Sequence, residues 1–255
     1  MRLQNPFAAV STTGLDSQVL TVLARTEQYL LVRQIHQLLP EEGSHQGVRK
    51  AVTRLVEQGV VFERATGRNY AYALNLSHLL VEEILKIANA KSELNDRIRE
   101  VISTWQVQPL TVIMFGSAAR NEMRTDSDID LLVVMPDSAA EDTAEVLVFG
   151  LATQVTKWTG NDLRPLVYRS SEVQPASIFD SILKDGIEIA GETTWLRKQL
   201  RRNKVHTGHR EAQNPELSRQ TRPSSKAGLL RPSSSSRWQT MPASYQKSKT
   251  LRTLA

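Results

Sequence analysis

The sequence contains no cysteine and few aromatic residues, and both shortages limit what the protein can be. Without cysteine, disulfide bonds and thiolate metal sites are excluded. Aromatic residues make up 5% of the chain, although a hydrophobic fraction of 40% still allows a true core. The absence of cysteine is typical of proteins from reducing compartments. The composition therefore favours an intracellular globular protein.

Long apolar segments are also missing from the sequence. No apolar run reaches the roughly 20 residues that a membrane-spanning helix needs. Residues 1–6 are followed by no sustained apolar segment of the kind found in signal peptides. We therefore expect a cytoplasmic protein without a membrane-bound part.

The positive charge is unevenly distributed along the chain. Residues 201–255 carry twelve Lys and Arg against two acids, a net +10, which leaves −5 of the total +5 for residues 1–200. The end of the chain lacks apolar periodicity and includes the low-complexity run 231–236, so we expect residues 200–255 to form a disordered basic tail. The tail either attracts nucleic acid through counterion release or is a solvated extension without a specific role.

The rest of the chain has the pattern of two domains joined by a helix. Residues 15–76 predict three helices followed by a β-hairpin, and residues 77–105 predict one long connecting helix. Residues 106–192 alternate strands with helices, which is typical of a mixed sheet with flanking helices. The expected fold class is therefore a two-domain α+β or α/β protein, with a short polar leader before residue 15.

In the first domain, apolar residues at helical spacing define the three helices. The second helix is expected to begin near Thr26 and to end at Pro40. The third helix is expected to follow Ser44 and to end at Gly59. Two β-prone runs then surround a glycine-containing turn within residues 65–69, which predicts the hairpin.

One stretch of the second domain has the residue pattern of an active site. It consists of Phe115-Gly116-Ser117, ten intervening residues, and then Asp128-Ile129-Asp130 at the start of an apolar strand. This pattern resembles the signature of the polymerase-β-like nucleotidyltransferase superfamily. Together with the first domain, it resembles the small bacterial members fused to a winged helix. The resemblance covers most of residues 15–190, and its specificity depends on this motif.

The spacing of the motif suits phosphoryl-transfer chemistry. Because side chains alternate along a strand, Asp128 and Asp130 should project from the same face. Two carboxylates can hold Mg²⁺, which keeps substrate phosphates in its coordination shell. Gly116 lets a triphosphate approach the backbone closely, and Ser117 offers a hydroxyl and an N–H group. Each element alone usually marks a turn or a strand end, but all of them at this spacing favour an active site.

The resemblance implies an enzyme that depends on Mg²⁺ or Mn²⁺. Such an enzyme transfers a nucleoside monophosphate from an NTP, here expected to be ATP, to a hydroxyl group of an acceptor that the sequence does not identify. Asp128 and Asp130 would be the metal ligands, and Gly116 and Ser117 would bind the nucleotide. Arg120 and Arg124 are expected to neutralise phosphate charge, and for Arg120 only the resemblance supports that role.

The motif is weakest at its third carboxylate. Active members of the superfamily usually carry a further acid on the next strand, as a general base or a third metal ligand. The only acid on the corresponding segment is Asp162, at its leading end, whereas Arg164 or Pro165 occupies the expected position. Asp162 is therefore either the candidate catalytic base or a turn residue.

Three helices followed by a hairpin resemble a winged helix-turn-helix, in which the third helix enters the major groove of DNA. The outward positions of that helix and the hairpin tip would present cations and base-reading side chains, namely Gln46, Arg49, Lys50, Thr53, Arg54 and Arg68. Because any amphipathic helix has a polar outer face, and some winged helices bind proteins, protein interaction is the alternative to binding double-stranded DNA.

These features lead to three hypotheses. The first is an Mg²⁺-dependent nucleotidyltransferase with an attached DNA-binding domain. The second is a DNA-binding regulator whose nucleotidyltransferase domain senses nucleotide or is catalytically silent, and it is compatible with the first because the features lie on separate domains. The third is one half of a toxin–antitoxin pair with a partner protein, which is implied by the resemblance alone.

Overall fold

The structure is a computed structural model that describes residues 1–10 and 15–203. The described chain divides into two compact units. The first contains residues 1–98, 120–127 and 158–161, and the second contains residues 99–119, 128–157 and 162–203. Nearly all of the predicted basic tail, from residue 204 onward, lies outside the described residues.

The first unit has the element order of a winged helix. Its elements are α1 (Asp16–Ala24), β1 (Leu30–Leu31), α2 (Val32–Gln37), α3 (His45–Glu57), β2 (Val61–Thr66), β3 (Asn69–Leu74), α4 (Val81–Ala88) and the greater part of α5 (Ala90–Ser103). The three strands form an antiparallel sheet in the order β1-β3-β2. Helices and sheet share one core, which includes Val19 of α1, Val52 of α3 and Tyr72 of β3.

Helix α3 forms where the sequence predicts it. The Ser44 hydroxyl accepts a hydrogen bond from the Gly47 N–H at 3.0 Å and so satisfies one of the free donors of the first turn. Gly59 follows the helix with a φ of +71°, which glycine adopts without steric cost. Val48 and Val52 are fully buried, so the polar residues of the same helix face solvent.

The prediction for the second helix is wrong at its start. Instead of a helix from Thr26, the chain forms β1 first, and α2 begins only at Val32. The pairing of Leu30–Leu31 with β3 holds this segment extended. The Gln34 side chain then accepts the Leu31 N–H at 2.8 Å and caps the helix. Strand pairing with a distant part of the chain therefore outweighs the local start signal at Thr26.

Residues 77–105 form two helices instead of the single helix predicted. Helix α4 ends at Ala88 and α5 begins at Ala90, with Asn89 between them. The Arg25 guanidinium donates to the Ala88 carbonyl at 3.0 Å. A cation bound to the last carbonyls stabilises a helix end, and the periodicity of the segment alone cannot reveal such a long-range contact.

The N-terminal segment is packed into the first unit, contrary to the polar leader that was predicted. Gln4, Asn5 and Phe7 are each at most 5% exposed, and Pro6–Ala9 forms a short 3-10 helix. The Gln4 side-chain amide donates to the Met123 carbonyl at 2.7 Å. The segment is therefore a structural part of the unit.

The second unit is a four-stranded mixed sheet with associated helices. Its strands are β4 (Thr111–Phe115), β5 (Ile129–Met135), β6 (Leu163–Arg169) and β7 (Ile187–Gly191), in the order β6-β5-β4-β7. Strands β5 and β6 are parallel and are connected through α7 (Glu141–Thr159), and the other neighbouring pairs are antiparallel. Helices α6 (Gly116–Arg120) and α8 (Ser177–Asp185) complete the predicted pattern. Among the described helices, none is long and apolar enough to cross a membrane.

The apolar core of the sheet ends near the start of β5, where polar residues lie. Leu132 and Val134 pack against Phe179 and Ile182 of α8. Because Asp130 shares their face of the strand, it lies where this apolar layer ends. The sheet thereby carries polar chemistry at one end and a hydrophobic core along the rest of the same face.

The described chain continues past the sheet as a helix. Residues 195–203 are helical, and Leu196 and Leu200 are buried in the same core as α8. The first four residues of the predicted tail, residues 200–203, are therefore helical instead of disordered. Two apolar residues four positions apart carry too little periodicity to predict a helix beside a basic, polar sequence.

Candidate active site

Gly116 and Asp130 approach each other closely at the end of β4. Gly116 follows Phe115, whose register partner on β5 is Asp130, and its φ is +69°. A Cβ atom at Gly116 would lie 3.2 Å from Asp130 Cγ and would overlap the carboxylate oxygen Oδ2. Only glycine accommodates both this φ and this approach. The register of the two strands therefore places the carboxylate directly against the Gly116 backbone.

The two acids of the motif share one face of the sheet. Asp128 immediately precedes β5 and Asp130 is its second residue, so both project away from the face on which Ile129 is fully buried. The Asp128 side chain is 16% exposed, and Asp130 is half-buried. The two carboxylates are thus on one face at the strand end, as expected, and their binding of a metal stays a prediction.

Arg164 stands where the third carboxylate was expected. In the parallel pairing of β5 and β6, Arg164 is the register partner of Asp130. Its guanidinium Nη2 lies 2.6 Å from Asp128 Oδ2, and the arginine side chain is 67% exposed. A cation therefore binds one of the two acids from the strand on which the superfamily pattern would supply an acid.

Asp162 tethers the start of the strand pair through its backbone. Its carbonyl accepts the Ile129 N–H at 2.9 Å, one residue before β6 begins. Alternation along the segment puts its half-buried side chain on the same face as Arg164. The backbone contact accounts for the position of Asp162, and its role as a base stays a prediction.

The remaining nucleotide-binding candidates are divided between the two units. Ser117 is half-buried beside Gly116 in α6, in the second unit. Arg120 and Arg124 belong to the first unit, where Arg120 Nε lies 2.8 Å from Glu122 Oε2. The Arg124 side chain is exposed. Phosphate binding by these three residues stays a prediction.

The two carboxylates of the motif fit a magnesium ion that takes its other ligands from phosphates and water. Among the described residues, no three His, Cys, Asp or Glu side chains are grouped so that they could hold a metal together. Two carboxylates suffice for Mg²⁺ when nucleotide phosphates and water complete its octahedral shell. Asp128 and Asp130 offer these two carboxylates, and the next strand adds a guanidinium at the paired position.

The loop between the two halves of the motif is held by distant residues that sequence reasoning missed. Residues 120–127 belong to the first unit, where the Gln4 amide donates to the Met123 carbonyl at 2.7 Å. The Asn161 side chain donates to the Ser127 carbonyl at 2.8 Å. No local pattern announces either contact, because both connect residues that are far apart in the chain.

Lys91 provides a third attachment for this loop. Its Nζ donates to Asn121 Oδ1 at 2.7 Å, and Asn121 has a φ of +61°, which asparagine tolerates better than most residues. Burial and, to a lesser extent, the nearby positive charge of Arg25 lower the pKa of Lys91 to about 8. The loop is therefore held in part by a partly buried lysine that loses its proton readily.

The predicted DNA-binding face of α3 is exposed to solvent. Gln46, Arg49, Lys50 and Thr53 all lie on the exposed side of the helix. Thr53 Oγ donates to the Arg49 carbonyl at 3.0 Å, so that hydroxyl is already engaged within the helix. Arg49 and Lys50 thus remain the cations of this face that are oriented to solvent.

Two other DNA-binding candidates have different surroundings. Arg54 forms two hydrogen bonds to the Asp16 carboxylate, at 2.7 and 3.2 Å, and this interaction raises the pKa of Arg54. Arg68 is exposed in the two-residue turn between β2 and β3. Arg54 therefore takes part in a contact between α1 and α3, whereas Arg68 extends from the tip of the hairpin.

Two family matches agree with the geometry. Residues 95–190 match the family described as "Nucleotidyltransferase domain", and residues 12–102 match the family described as "Penicillinase repressor". The matches confirm the predicted combination of a nucleotidyltransferase fold with an N-terminal winged helix. They also support the classification of the protein as a transferase.

Several solved structures are partly similar to the chain. The toxin–antitoxin MntA–HpeT mutant is 13% identical with a TM-score of 0.35, and the match covers 49% of this chain and 96% of that one. A toxin–antitoxin structure with AMP-PNP is 15% identical with a TM-score of 0.34 and the same coverage, 49% and 96%. The tri-AMPylated Shewanella oneidensis HEPN toxin in complex with MNT antitoxin is 14% identical with a TM-score of 0.33, covering 51% and 97%. No curated protein matches the chain.

Replacement of Gly116 by alanine should lower the free energy of unfolding by about 1–2 kcal/mol, because the new Cβ combines an unfavourable φ with a clash against Asp130. The matched control is Gly150→Ala in α7, where a Cβ atom would meet nothing within 4 Å. This substitution should stabilise the helix by about 0.5–1 kcal/mol, because alanine has a higher helix propensity than glycine. Urea unfolding measures both changes. A Gly116→Ala variant as stable as the unmodified protein would contradict the close approach.

Lys91 should make stability depend on pH in the alkaline range. Its pKa is about 8 in the folded protein and roughly 10.4 when unfolded, so between these values the unfolded chain binds more protons. Its contribution to stability therefore rises as the pH increases from about 8 to 10.4. Urea unfolding across this range should show the protein gaining stability relative to Lys91→Met. Lys86→Met, at an exposed position of α4, controls for the loss of a surface lysine. An identical dependence of stability on pH in the two variants would contradict the prediction.

Proposed function

Because the chain combines a nucleotidyltransferase domain at residues 95–190 with a repressor-type winged helix at residues 12–102, we propose that it is a metal-dependent nucleotidyltransferase with an attached DNA-binding domain. In the reaction, the oxygen of an acceptor hydroxyl bonds to the α-phosphorus of an NTP. The bond from that phosphorus to the bridging oxygen breaks, pyrophosphate leaves, and the hydroxyl proton passes to a base. ATP is the expected donor.

The close approach of Asp130 to Gly116 is the observation that carries this proposal. It joins the two halves of the motif, which are fourteen positions apart in the chain, at one end of the sheet. Asp128 lies on the same face at the same end. A phosphate chain lying along the Gly116 backbone would therefore meet both carboxylates, as metal-assisted nucleotide binding requires.

Each candidate residue has a distinct part in the proposed reaction. Asp128 and Asp130 would hold Mg²⁺ or Mn²⁺, which when bound supplies positive charge to the phosphates. Gly116 and Ser117 seat the triphosphate through the backbone and a hydroxyl. Asp162, on the shared face, is the candidate acceptor of the hydroxyl proton.

Arg120 and Arg124 complete the proposed nucleotide contacts. Both are arginines, whose planar guanidinium groups match phosphate oxygens in pairs. The ion pair of Arg120 with Glu122 is exposed on both sides, at 41% and 61%. Exposed pairs of this kind are weak, so the pair with Glu122 would not by itself keep Arg120 from binding a phosphate.

The double substitution Asp128→Asn and Asp130→Asn should weaken binding of a non-hydrolysable ATP analogue in the presence of Mg²⁺ by at least about tenfold, since even changes behind the metal ligands cost that much. The amide side chains keep the volume of the acids and remove their charge. Isothermal titration calorimetry with and without Mg²⁺ measures the effect.

The matched control for this experiment is Asp180→Asn, an exposed acid in the first turn of α8. It should leave nucleotide affinity unchanged. The proposed enzyme is excluded if the unmodified protein binds no nucleotide in the presence of Mg²⁺, or if the double variant binds it as tightly as the control does.

The solvent-facing cations of α3 support DNA binding as the second activity. Arg49 and Lys50 are exposed on one side of a helix whose other side is anchored in the core by Val48 and Val52. Arg68 extends from the hairpin turn. A helix for the major groove flanked by a basic hairpin is the arrangement that winged helices use on double-stranded DNA. The geometry therefore suits a duplex more readily than a single strand.

Arg49→Ala should weaken duplex DNA binding and reduce the slope of log affinity against log salt by about 1, the loss of one phosphate contact. Arg54→Ala should have a smaller effect, because Arg54 is already bonded to Asp16. Fluorescence anisotropy over a range of salt concentrations measures both, with Lys86→Ala on α4 as control. Salt slopes that are the same for all three variants and the unmodified protein would contradict this assignment of the surface.

The alternative is a DNA-binding regulator whose nucleotidyltransferase domain senses nucleotide without turnover. The ion pair of Arg164 with Asp128 favours it, because a cation occupies the place of the expected third acid. Partnership with a toxin protein and a cytoplasmic location remain predictions from the sequence. A gene for a toxin-like partner beside this one would support the partnership.

A further inference from the structure

Arg164 is the charged residue of the sheet end to which the expected motif assigns no role. Its backbone is fixed by the register with Asp130, and its guanidinium binds Asp128 Oδ2 at 2.6 Å. Its side chain is nonetheless 67% exposed, whereas the Asp128 side chain is 16% exposed. The Arg164 side chain is therefore mostly in contact with solvent, whereas the Asp128 carboxylate that it binds is mostly buried.

A divalent cation and Arg164 would both bind the Asp128 carboxylate. Magnesium bound by Asp128 would add a second positive group to a carboxylate whose Oδ2 already lies 2.6 Å from the guanidinium. Two positive groups on one carboxylate also repel each other. Metal binding at Asp128 therefore favours displacement of the guanidinium, whose exposed side chain can turn into solvent.

The charges at the sheet end indicate where the guanidinium would go. Asp128, Asp130 and Asp162 together with the Arg164 guanidinium sum to a charge of −2, which one divalent cation balances. The triphosphate that arrives with the metal then offers further anionic oxygens, and a guanidinium pairs with phosphate oxygens in the same two-pronged geometry as with a carboxylate. Arg164 and the phosphates would lie on the same face of the sheet, because Arg164 is paired with Asp130.

We propose that Arg164 is a nucleotide-binding residue with two positions, one on Asp128 and one on the triphosphate. It competes with the divalent cation for Asp128 when nucleotide is absent, and it binds phosphate oxygens when metal and nucleotide are both bound. In this arrangement the guanidinium supplies to the phosphates the positive charge that a second metal ion would otherwise provide. This inference rests on the nucleotidyltransferase function proposed above.

The two positions predict opposite effects of one substitution. Arg164→Gln should bind Mn²⁺ about threefold more tightly than the unmodified protein in the absence of nucleotide, because the competing ion pair is lost. The same variant should bind the non-hydrolysable ATP analogue with Mg²⁺ about tenfold more weakly, because a charged hydrogen bond to phosphate is lost. Electron paramagnetic resonance of free Mn²⁺ and calorimetry measure the two affinities on the full chain.

Two further variants separate this role from a structural one. Arg164→Lys keeps the charge without the planar fork and should recover most of the competition with Mn²⁺ but only part of the nucleotide affinity. Arg169 lies on the same strand as Arg164, roughly 16 Å from it and on the opposite face of the sheet. Arg169→Gln should therefore change neither affinity. Thermal unfolding of each variant shows whether it is folded at the assay temperature.

The outcomes distinguish the inference from the function on which it rests. If the unmodified protein binds neither Mn²⁺ nor nucleotide, the nucleotidyltransferase proposal fails. If it binds both, and Arg164→Gln changes either affinity no more than Arg169→Gln does, the two-position role is wrong and the proposed function stands. Opposite shifts in the two affinities, with partial recovery in Arg164→Lys, would support the inference.

Discussion

The contact between the Asp130 carboxylate and the Gly116 backbone is the constraint on which the site of the second unit depends. It requires a glycine at that position, and it requires β4 and β5 to pair in one register. Buried residues such as Met114 and its partner Leu131 hold that register, because a slip of one residue would turn Asp130 to the opposite face. The hydrophobic core of the sheet therefore positions the polar chemistry at its end.

The first unit uses its core in a comparable way for a surface. Val48 and Val52 anchor one side of α3 in the core, and this orientation directs Arg49 and Lys50 to solvent. The contact between Asp16 and Arg54 attaches α3 to α1 outside the core. One of the predicted DNA-binding cations thus helps to position the helix that carries the others.

Local sequence signals predicted much of this structure, and long-range contacts account for the failures. Ser44 caps its helix through a local hydrogen bond, and the Asp-Ile-Asp run stands directly at the start of the apolar strand β5, so α3 and the acid pair could be predicted. The break at Asn89 depends on Arg25, and the extended start of the second helical region depends on pairing with β3. The motif spacing likewise left Arg164 and Pro165 as alternatives at the third position. Only the register of β6 against β5 identifies Arg164 and shows its contact with Asp128.

The attachment of residues 120–127 to the first unit has a consequence for how the protein can be divided. The chain leaves the second unit after Ala119, joins the first, and returns at Asp128. A fragment that begins at residue 95, where the nucleotidyltransferase match starts, would lose Gln4, the donor to the Met123 carbonyl, together with most of the unit to which residues 120–127 belong. The loop would then lack the contacts that hold it, so the nucleotidyltransferase region should behave poorly as an autonomous folding fragment. Exchange of domains between homologous chains would have to carry the N-terminal segment and this loop as a single module.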